Sequence, residues 1–196
     1  MWGGMDERER RRQRAGEDGG RETGGRGTLS PTVVRAARQD VAAAAVRLPG
    51  AAGWLDGAGT AEHSGPLVAE VWVFDVRGRR ILLEEHPWRG LVPPGGKVDA
   101  GETPRRAAAR ELLEETGLSA VLLNRPAMAF VRRFRADSAA TTLGLSYAAV
   151  VDPRQPLRCE PGQPAAWFAL DSAWASAFPE DRDRMRRFFG SLATAR

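Results

Sequence analysis

Cysteine, lysine and long apolar runs are all scarce in this chain of 196 residues. Cys159 is the only cysteine, which excludes an internal disulfide and fits a reducing cytoplasm. No apolar run approaches the roughly 20 residues that a membrane-spanning helix needs, and no apolar stretch follows the charged N-terminus. We therefore expect a cytoplasmic protein with no membrane partner and no secretory signal.

The basic side chains are almost all arginine. Lys97 is the only lysine among 29 basic residues, and 25 acidic residues reduce the formal net charge to +4. Basic and acidic residues are interspersed along the chain, which argues against a nucleic-acid surface. The arginine excess is therefore explained first by a coding bias and only second by a function.

Composition divides the chain into three predicted parts. Residues 1–28 contain almost no apolar side chains and cannot offset their ordering entropy, so we expect a disordered tail. Residues 29–65 contain a predicted accessory helix, Ser30 to Leu48, which packs on the domain or on a second copy of the chain in a homodimer. A Gly/Ala-rich linker anchored by Trp54 follows it. Residues 66–196 are long enough for one globular domain.

Apolar patterns in this last part predict a sheet with two helices. The predicted strands are Leu67–Asp75, Arg80–Glu85, Ala120–Leu123, Ala127–Arg135, Leu143–Val151 and Ala166–Leu170. One predicted helix follows Thr103 and the other covers Asp181–Leu192. Strands around two helices, with one helix in the middle of the order, fit an α/β domain with a mixed sheet.

The helix after Thr103 carries the strongest signal in the chain. Thr103 is an expected N-cap, Pro104 suits the first turn, and Gly117 ends the helix by entering the left-handed region. The preceding loop contains Pro93 to Gly96, whose glycines let the backbone approach an ion or a phosphate.

Helical periodicity places three acids together on this helix. At about 100° per residue, Glu111, Glu114 and Glu115 fall on one face. The core-facing side is expected to contain Ala109, Leu112, Leu113 and Thr116. Crowded carboxylates repel one another unless a cation joins them, and oxygen donors suit Mg²⁺ or Mn²⁺ beside a phosphate-bearing substrate. The alternative is a solvated acidic face without a ligand.

The same segment matches the pattern G-x5-E-x7-R-E-U-x-E-E-x-G-U, with U apolar, at every fixed position. The matching residues are Gly96, Glu102, Arg110, Glu111, Leu112, Glu114, Glu115, Gly117 and Leu118. The segment therefore resembles the signature of the Nudix hydrolases. The resemblance implies an α/β/α sandwich with a mixed β-sheet. It also implies metal-dependent hydrolysis of a nucleoside diphosphate linked to another group.

Roles for individual residues follow from this resemblance. The metal site is expected to use the carboxylates and backbone of Glu111, Glu114, Glu115, Gly95 and Gly96. Glu102 and Arg110 resemble the family's supporting pair, which orients the loop against the helix. The expected cofactor is Mg²⁺, with Mn²⁺ as a substitute.

A second local likeness lies further along the chain. The segment from Glu160 to Trp167 is similar to the E-G-Q-P…W segment of MutT-like members, in which the glutamate reaches the metal site from outside the signature. The additional Pro161 departs from that pattern, and the alternative is an ordinary loop acid. Either Glu111 or Glu160 is expected to orient or deprotonate the attacking water.

Several residues near the signature are candidates for binding a small-molecule nucleotide. Lys97, Arg89 and Arg133 are expected to hold phosphates, while Trp88 either stacks on a base or packs within its loop. The Glu160 segment favours a MutT-like nucleoside triphosphate pyrophosphatase. The alternatives are an ADP-ribose or nucleotide-sugar pyrophosphatase and a regulator that senses nucleotides without cleaving them.

Overall fold

The structure, a computed structural model, describes residues 29–57, 65–133 and 140–194. The predicted disordered tail, 1–28, lies outside the described residues. The helices are α1 (Pro31–Ala43), α2 (Ala51–Trp54), α3 (Pro104–Thr116) and α4 (Asp181–Thr194). The strands are β1 (Val46–Arg47), β2 (Leu67–Asp75), β3 (Arg80–His86), β4 (Gly90–Val92), β5 (Gly95–Lys97), β6 (Met128–Arg132), β7 (Thr142–Val151) and β8 (Ala165–Ala169). Within the described ranges, no helix is both long and apolar enough to cross a membrane.

The strands form one mixed sheet. Its main path is β1-β6-β7-β2-β3-β4, with β5 paired to β2 and β8 paired to β3. Strands β2 and β7 run parallel from the Leu67–Leu143 pair to the Asp75–Val151 pair. On its other edge β2 pairs antiparallel with β3 at one end and with β5 at the other. This central strand therefore fixes β5 to the rest of the sheet, and with it the segment Pro93 to Gly96, which we call the glycine loop.

Side chains of β2 alternate between two cores, one on each face of the sheet. Val71 and Val73 join a cluster that includes α1, α2 and α3, whereas Trp72 and Phe74 join a cluster that includes α4. Phe188 of α4 meets Trp72 edge to face, with ring centroids 5.8 Å apart. Helices therefore cover both faces, and the predicted α/β/α sandwich is confirmed.

Helix α1 is shorter than predicted. It begins after the N-cap Ser30 and ends at Ala43, so the prediction that it continues to Leu48 was wrong. The chain instead forms β1, where the Val46 N–H donates to the Ala127 carbonyl at 3.1 Å. The edge of β6 offers ladder hydrogen bonds that a local helical pattern does not reveal, and this tertiary pairing overrides helix propensity.

The N-terminal segment packs on the domain. Val33, Ala37 and Val41 of α1 are buried in the core on the α3 side of the sheet. Trp54 is also buried, and its indole N–H donates to the Thr141 carbonyl at 3.0 Å. The predicted anchoring role of this tryptophan is confirmed, and residues 29–57 belong to the same packed body as the sheet.

Most predicted strands agree with the structure to within about three residues at either end, and one does not. Ala120–Leu123 is irregular rather than a strand, although the Leu123 N–H donates to the Ala148 carbonyl at 2.7 Å. The Arg105 guanidinium donates to the carbonyls of Leu123 and Asn124, at 2.9 and 2.6 Å. These carbonyls are satisfied by a side chain, so the segment needs no strand partner.

Candidate active site

The acidic helix α3 has both of its predicted caps. Thr103 Oγ1 accepts a hydrogen bond from the Arg106 N–H at 3.4 Å, and Pro104 occupies the first helical position. Gly117 adopts a φ of 71°, and its N–H donates to the Leu113 carbonyl at 2.9 Å. The helix therefore starts and stops where the sequence predicts.

The buried side of α3 is rotated relative to the predicted one. Leu112 and Thr116 are buried as expected, but Ala109 is exposed and Leu113 is 52% exposed. Glu115, predicted on the face opposite the core, is only 8% exposed. The predictions for Ala109 and Leu113 were wrong because β5 packs beside α3 and covers Glu115, a contact that helical periodicity alone does not reveal.

Arg110 connects three of the predicted acidic residues. Its guanidinium donates to Glu102 Oε2 at 3.0 Å, Glu111 Oε1 at 2.8 Å and Glu114 Oε2 at 3.0 Å. A further bond of 3.0 Å reaches the Lys97 carbonyl. Hydrogen bonding to Glu102 is the main cause that raises the pKa of Arg110 further above its usual range. The structure thus joins Glu102 to Arg110. The same guanidinium also binds the carboxylates of two predicted metal ligands, Glu111 and Glu114.

The glycine loop meets α3 through its backbone. The Gly95 N–H donates to Glu115 Oε2 at 2.8 Å. A Cβ added at Gly96 would lie 2.4 Å from Glu111 Oε1, so only glycine allows this carboxylate to approach β5 so closely. Burial raises the pKa of Glu111, and its hydrogen bond with Arg110 opposes that rise. Both predicted glycines therefore lie directly beside predicted carboxylates.

Glu84 of β3 is a buried acid that the sequence analysis missed. It is 1% exposed, its carboxyl lies beside that of Glu115, and its Oε2 has no hydrogen-bond partner among the described residues. Burial raises the pKa of both carboxyls, and the approach of Glu84 adds to the rise at Glu115. Strand alternation was the available signal, because one of the neighbours Glu84 and Glu85 must face inward.

Glu160 lies beside the end of α3. Its N–H donates to the Glu115 carbonyl at 3.2 Å, and its Oε2 accepts from Gln163 Nε2 at 3.5 Å. Its charge contributes to the raised pKa of Glu84. The preceding Cys159 Sγ accepts from the Ala165 N–H at 3.3 Å, which closes the loop. The structure therefore brings this loop acid close to the acidic helix.

A cavity of about 550 Å³ opens beside the glycine loop. Its walls include all four predicted substrate-binding residues: Lys97, Trp88, Arg89 and Arg133. Large apolar side chains form other parts of the wall: Leu83, Leu91, Trp174, Phe178 and Met185. Trp88 is 69% exposed, so its ring is available at the surface. This space combines cationic groups with apolar walls, a combination typical of small-molecule binding pockets.

His86 orients the residues at one side of the cavity. Its Nδ1 accepts from the N–H groups of Trp88 and Arg89, at 3.2 and 3.3 Å. Burial lowers the pKa of Arg89, whereas the charges of Glu84, Glu70 and Glu115 oppose that change. Arg89 therefore lines the cavity and also lies close enough to the buried acids for their charges to affect its pKa.

Glu70 is another wall residue that sequence analysis missed. Its Oε1 accepts from Trp72 Nε1–H at 2.9 Å and from the Ser146 hydroxyl at 2.7 Å. Burial, and then the nearby Asp181 carboxylate, raise the pKa of Glu70. A polar residue inside the apolar run of β2 was the signal for it, because such a strand buries a charge only where partners exist.

Residues 66–189, from the start of β2 into α4, match the family model described as the NUDIX domain. The chain belongs to the Nudix family. The matched region contains α3, the glycine loop, Glu84, Glu160 and the cavity. The family prediction from the signature is confirmed.

Two curated relatives of this Nudix chain match it over short segments. YtkD of Bacillus subtilis (strain 168), provisionally named an 8-oxo-dGTP diphosphatase, is 51% identical over 47 residues. This match covers 24% of the chain and 30% of YtkD. The 8-oxo-dGTP diphosphatase of Haemophilus influenzae is 68% identical over 33 residues, 17% of the chain and 24% of that protein. The chain thus spans less than a third of either relative.

A solved structure supports the Nudix fold over a longer range. The Ap4A hydrolase of C. elegans, solved as a binary complex, superposes with a TM-score of 0.55 at 19% sequence identity. The alignment covers 67% of this chain and 99% of that one. Similarity at this level of identity shows a shared fold.

The donor chemistry of the Nudix site fits a divalent cation. As the side chains stand, no three His, Cys, Asp or Glu residues of the described ranges form a group that could hold an ion. Arg110 engages Glu111 and Glu114, which leaves Glu84 and Glu115 in mutual contact with one unpaired oxygen. A hard cation compensates such a buried pair, and Mg²⁺ is commonly held by one or two carboxylates with waters and phosphates.

Proposed function

We propose that this chain is a MutT-like enzyme that hydrolyses a diphosphate bond of nucleoside triphosphates with Mg²⁺ or Mn²⁺. The observation that carries this proposal is the cavity that brings Trp88, Arg89, Lys97 and Arg133 next to the glycine loop and the acidic helix. The names of the two curated relatives favour oxidised purine nucleotides as substrates. The lone Cys159 supports a cytoplasmic location.

In the proposed complex, the nucleotide lies along the cavity. The base stacks on the exposed face of Trp88, and the phosphates pair with Arg89, Lys97 and Arg133. The backbone N–H of Arg89 donates to His86 Nδ1, so part of the cost of ordering this loop is met before the substrate arrives.

The acidic residues then act at the phosphate chain. Glu111, Glu114, Glu115 and the backbone of Gly95 and Gly96 would hold the ion. When bound, the ion would polarise the phosphate and lower the pKa of a water molecule.

The protein's own groups move the proton. Glu111 removes a proton from the attacking water, whose oxygen bonds to phosphorus as the P–O bond to the leaving group breaks. Pyrophosphate leaves with the electron pair of that bond, and Arg89 and Lys97 stabilise its charge. The supporting observation is that Arg110 and Gly96 hold the Glu111 carboxylate between α3 and the loop that borders the cavity.

A substrate screen tests this proposal. The purified chain is incubated with Mg²⁺ and 8-oxo-dGTP, dGTP, ATP, diadenosine tetraphosphate, ADP-ribose or a nucleotide sugar. We expect a nucleoside monophosphate and pyrophosphate from a triphosphate, and no turnover after exhaustive EDTA treatment until Mg²⁺ is restored. Cleavage of only ADP-ribose or the nucleotide sugar would indicate an ADP-ribose or nucleotide-sugar pyrophosphatase instead. Tight binding without any turnover would indicate a sensor.

A further inference from the structure

Glu84 is not part of the family signature, yet it lies among the buried acids. It sits on β3 opposite Ala165 of β8 on one side and Val92 of β4 on the other. Because β3 is paired on both edges here, the backbone of Glu84 cannot shift without breaking sheet hydrogen bonds. Its carboxyl therefore has a fixed position next to that of Glu115.

The Glu84 carboxyl lies beside that of Glu115, and its Oε2 is buried and has no hydrogen-bond partner within the described ranges. An unpaired carboxylate oxygen is costly to bury. An apolar residue here would continue the buried run of Ile81, Leu82 and Leu83 without that cost. Packing therefore does not explain an acid at this position.

Three kinds of compensation are available to Glu84. A proton shared with Glu115 relieves the repulsion between the two carboxyls but provides a single hydrogen bond for their four oxygens. The charge of Arg89 acts on Glu84, but Oε2 still lacks a hydrogen bond. A cation bound by Oε2 and by Glu115 balances the charge of both carboxyls and gives Oε2 a partner, and Mg²⁺ is commonly held by one or two carboxylates with waters and phosphates completing its shell.

We infer that Glu84 is an additional ligand of the metal site, binding a divalent cation through Oε2 together with the Glu115 carboxylate. The identity of the ion rests on the proposed hydrolytic function, whereas the choice of residue rests on the geometry of Glu84. The Gly95 N–H, which donates to Glu115 Oε2 at 2.8 Å, already orients the second carboxylate of the pair.

Mn²⁺ binding to the full-length, metal-free protein tests this inference without any substrate. Free Mn²⁺ is followed by electron paramagnetic resonance for the wild type, Glu84→Gln and Glu85→Gln. The Glu85→Gln control removes the same charge from the next residue, which is exposed. We expect Glu84→Gln to raise the Kd for Mn²⁺ by at least about tenfold. The control is expected to keep the Kd within about twofold of the wild-type value, because it removes only an exposed charge.

Thermal unfolding gives a second readout. Without metal, Glu84→Gln is expected to melt no lower than the wild type, because the amide can still donate to Glu115. The rise in Tm on adding Mg²⁺ is expected to shrink in Glu84→Gln and to persist in Glu85→Gln. If Glu84→Gln does not fold, Glu84→Asp replaces it, because it keeps the charge but shortens the reach, and the same weakening is expected.

Unchanged Mn²⁺ affinity in Glu84→Gln would overturn the inference, and so would an equal loss in both variants, which would indicate a general charge effect. Hydrolysis is scored separately. Turnover by a wild type whose Mn²⁺ affinity does not depend on Glu84 would keep the proposed function and remove this ligand. Mn²⁺ binding that depends on Glu84, without turnover of any nucleotide, would keep Glu84 as a ligand and overturn the proposed function.

Discussion

Tyr147 and Asp40 join the sheet to the N-terminal helix, because the tyrosine hydroxyl donates to Asp40 Oδ2 at 2.6 Å. Tyr147 is fully buried on β7, and the Arg105 guanidinium lies 4.7 Å from its ring centroid. Burial and the Asp40 carboxylate raise the pKa of Tyr147, so the hydroxyl stays protonated and remains a donor. This contact lies away from the cavity and serves stability.

We therefore predict that Tyr147→Phe lowers the free energy of unfolding by about 1.5–3 kcal/mol, the range for hydrogen bonds to charged groups. Urea unfolding of the full chain measures this loss. Asp40→Asn is the matched variant, because it keeps an acceptor and is expected to lose less. Mn²⁺ affinity is expected to stay unchanged in both. A Tyr147→Phe protein as stable as the wild type would show that this bond does not hold α1 in place.

The close approach of Gly96 to Glu111 gives a second prediction. In Gly96→Ala, the new methyl group would meet Glu111 Oε1 at 2.4 Å and must displace it. We expect kcat to fall by about a hundredfold, the cost of a 1 Å misplacement of a reacting group.

Gly190→Ala is the matched control for this change. Gly190 lies on α4, and nothing approaches its added Cβ within 4 Å. We expect full activity and a gain in stability of about 0.5–1 kcal/mol, because alanine favours a helix over glycine. Activity retained in Gly96→Ala would show that the position of Glu111 is not critical.

A third prediction separates the two candidate bases. General-base assistance contributes about 10²–10⁴ in rate, so Glu111→Gln is expected to lower kcat at least about a hundredfold, without rescue by added Mg²⁺. Glu160→Gln is expected to cost about tenfold, the loss of a supporting group. Both are measured at saturating nucleotide across a Mg²⁺ titration. An inactive Glu160→Gln together with a Glu111→Gln rescued by metal would reverse the assignment.

The exposed ring of Trp88 leads to a fourth prediction. Stacking of a base on an aromatic side chain is worth about 1–3 kcal/mol, so Trp88→Ala should raise KM about tenfold and change kcat little. Trp88→Phe keeps an aromatic face, so its KM should lie between those of the wild type and Trp88→Ala. Thermal unfolding should be unaffected because the ring is largely exposed. An unchanged KM for Trp88→Ala would place the base elsewhere in the cavity.

Local chemistry made part of this molecule predictable. The caps of α3 at Thr103 and Gly117 are short-range signals, and β2 was found with its exact ends because its apolar run and turn are local. The end of α1 was missed because β6, more than 80 residues away, supplies the competing hydrogen bonds. Leu113 was placed on the wrong side because β5 covers Glu115.

The site shows the same division. Helix geometry alone places Glu111, Glu114 and Glu115 together, and the resemblance to the family pattern supplied the other residues of the signature. Glu84 joins them only through sheet pairing and burial, neither of which a motif records. The occupation of Glu111 and Glu114 by Arg110 was also not predictable, because it depends on the side-chain positions around one guanidinium.

The parallel pairing of β1 with β6 has a consequence for how the chain can be shortened. A version beginning at Pro66 would keep every residue that the family model matches. It would also uncover the hydrogen-bonding edge of β6 and the apolar surface beneath Val33, Ala37 and Val41. Bare strand edges recruit other chains, so we expect this version to self-associate on size-exclusion chromatography. We therefore expect the unit that homology recognises to be smaller than the unit that covers its own strand edges.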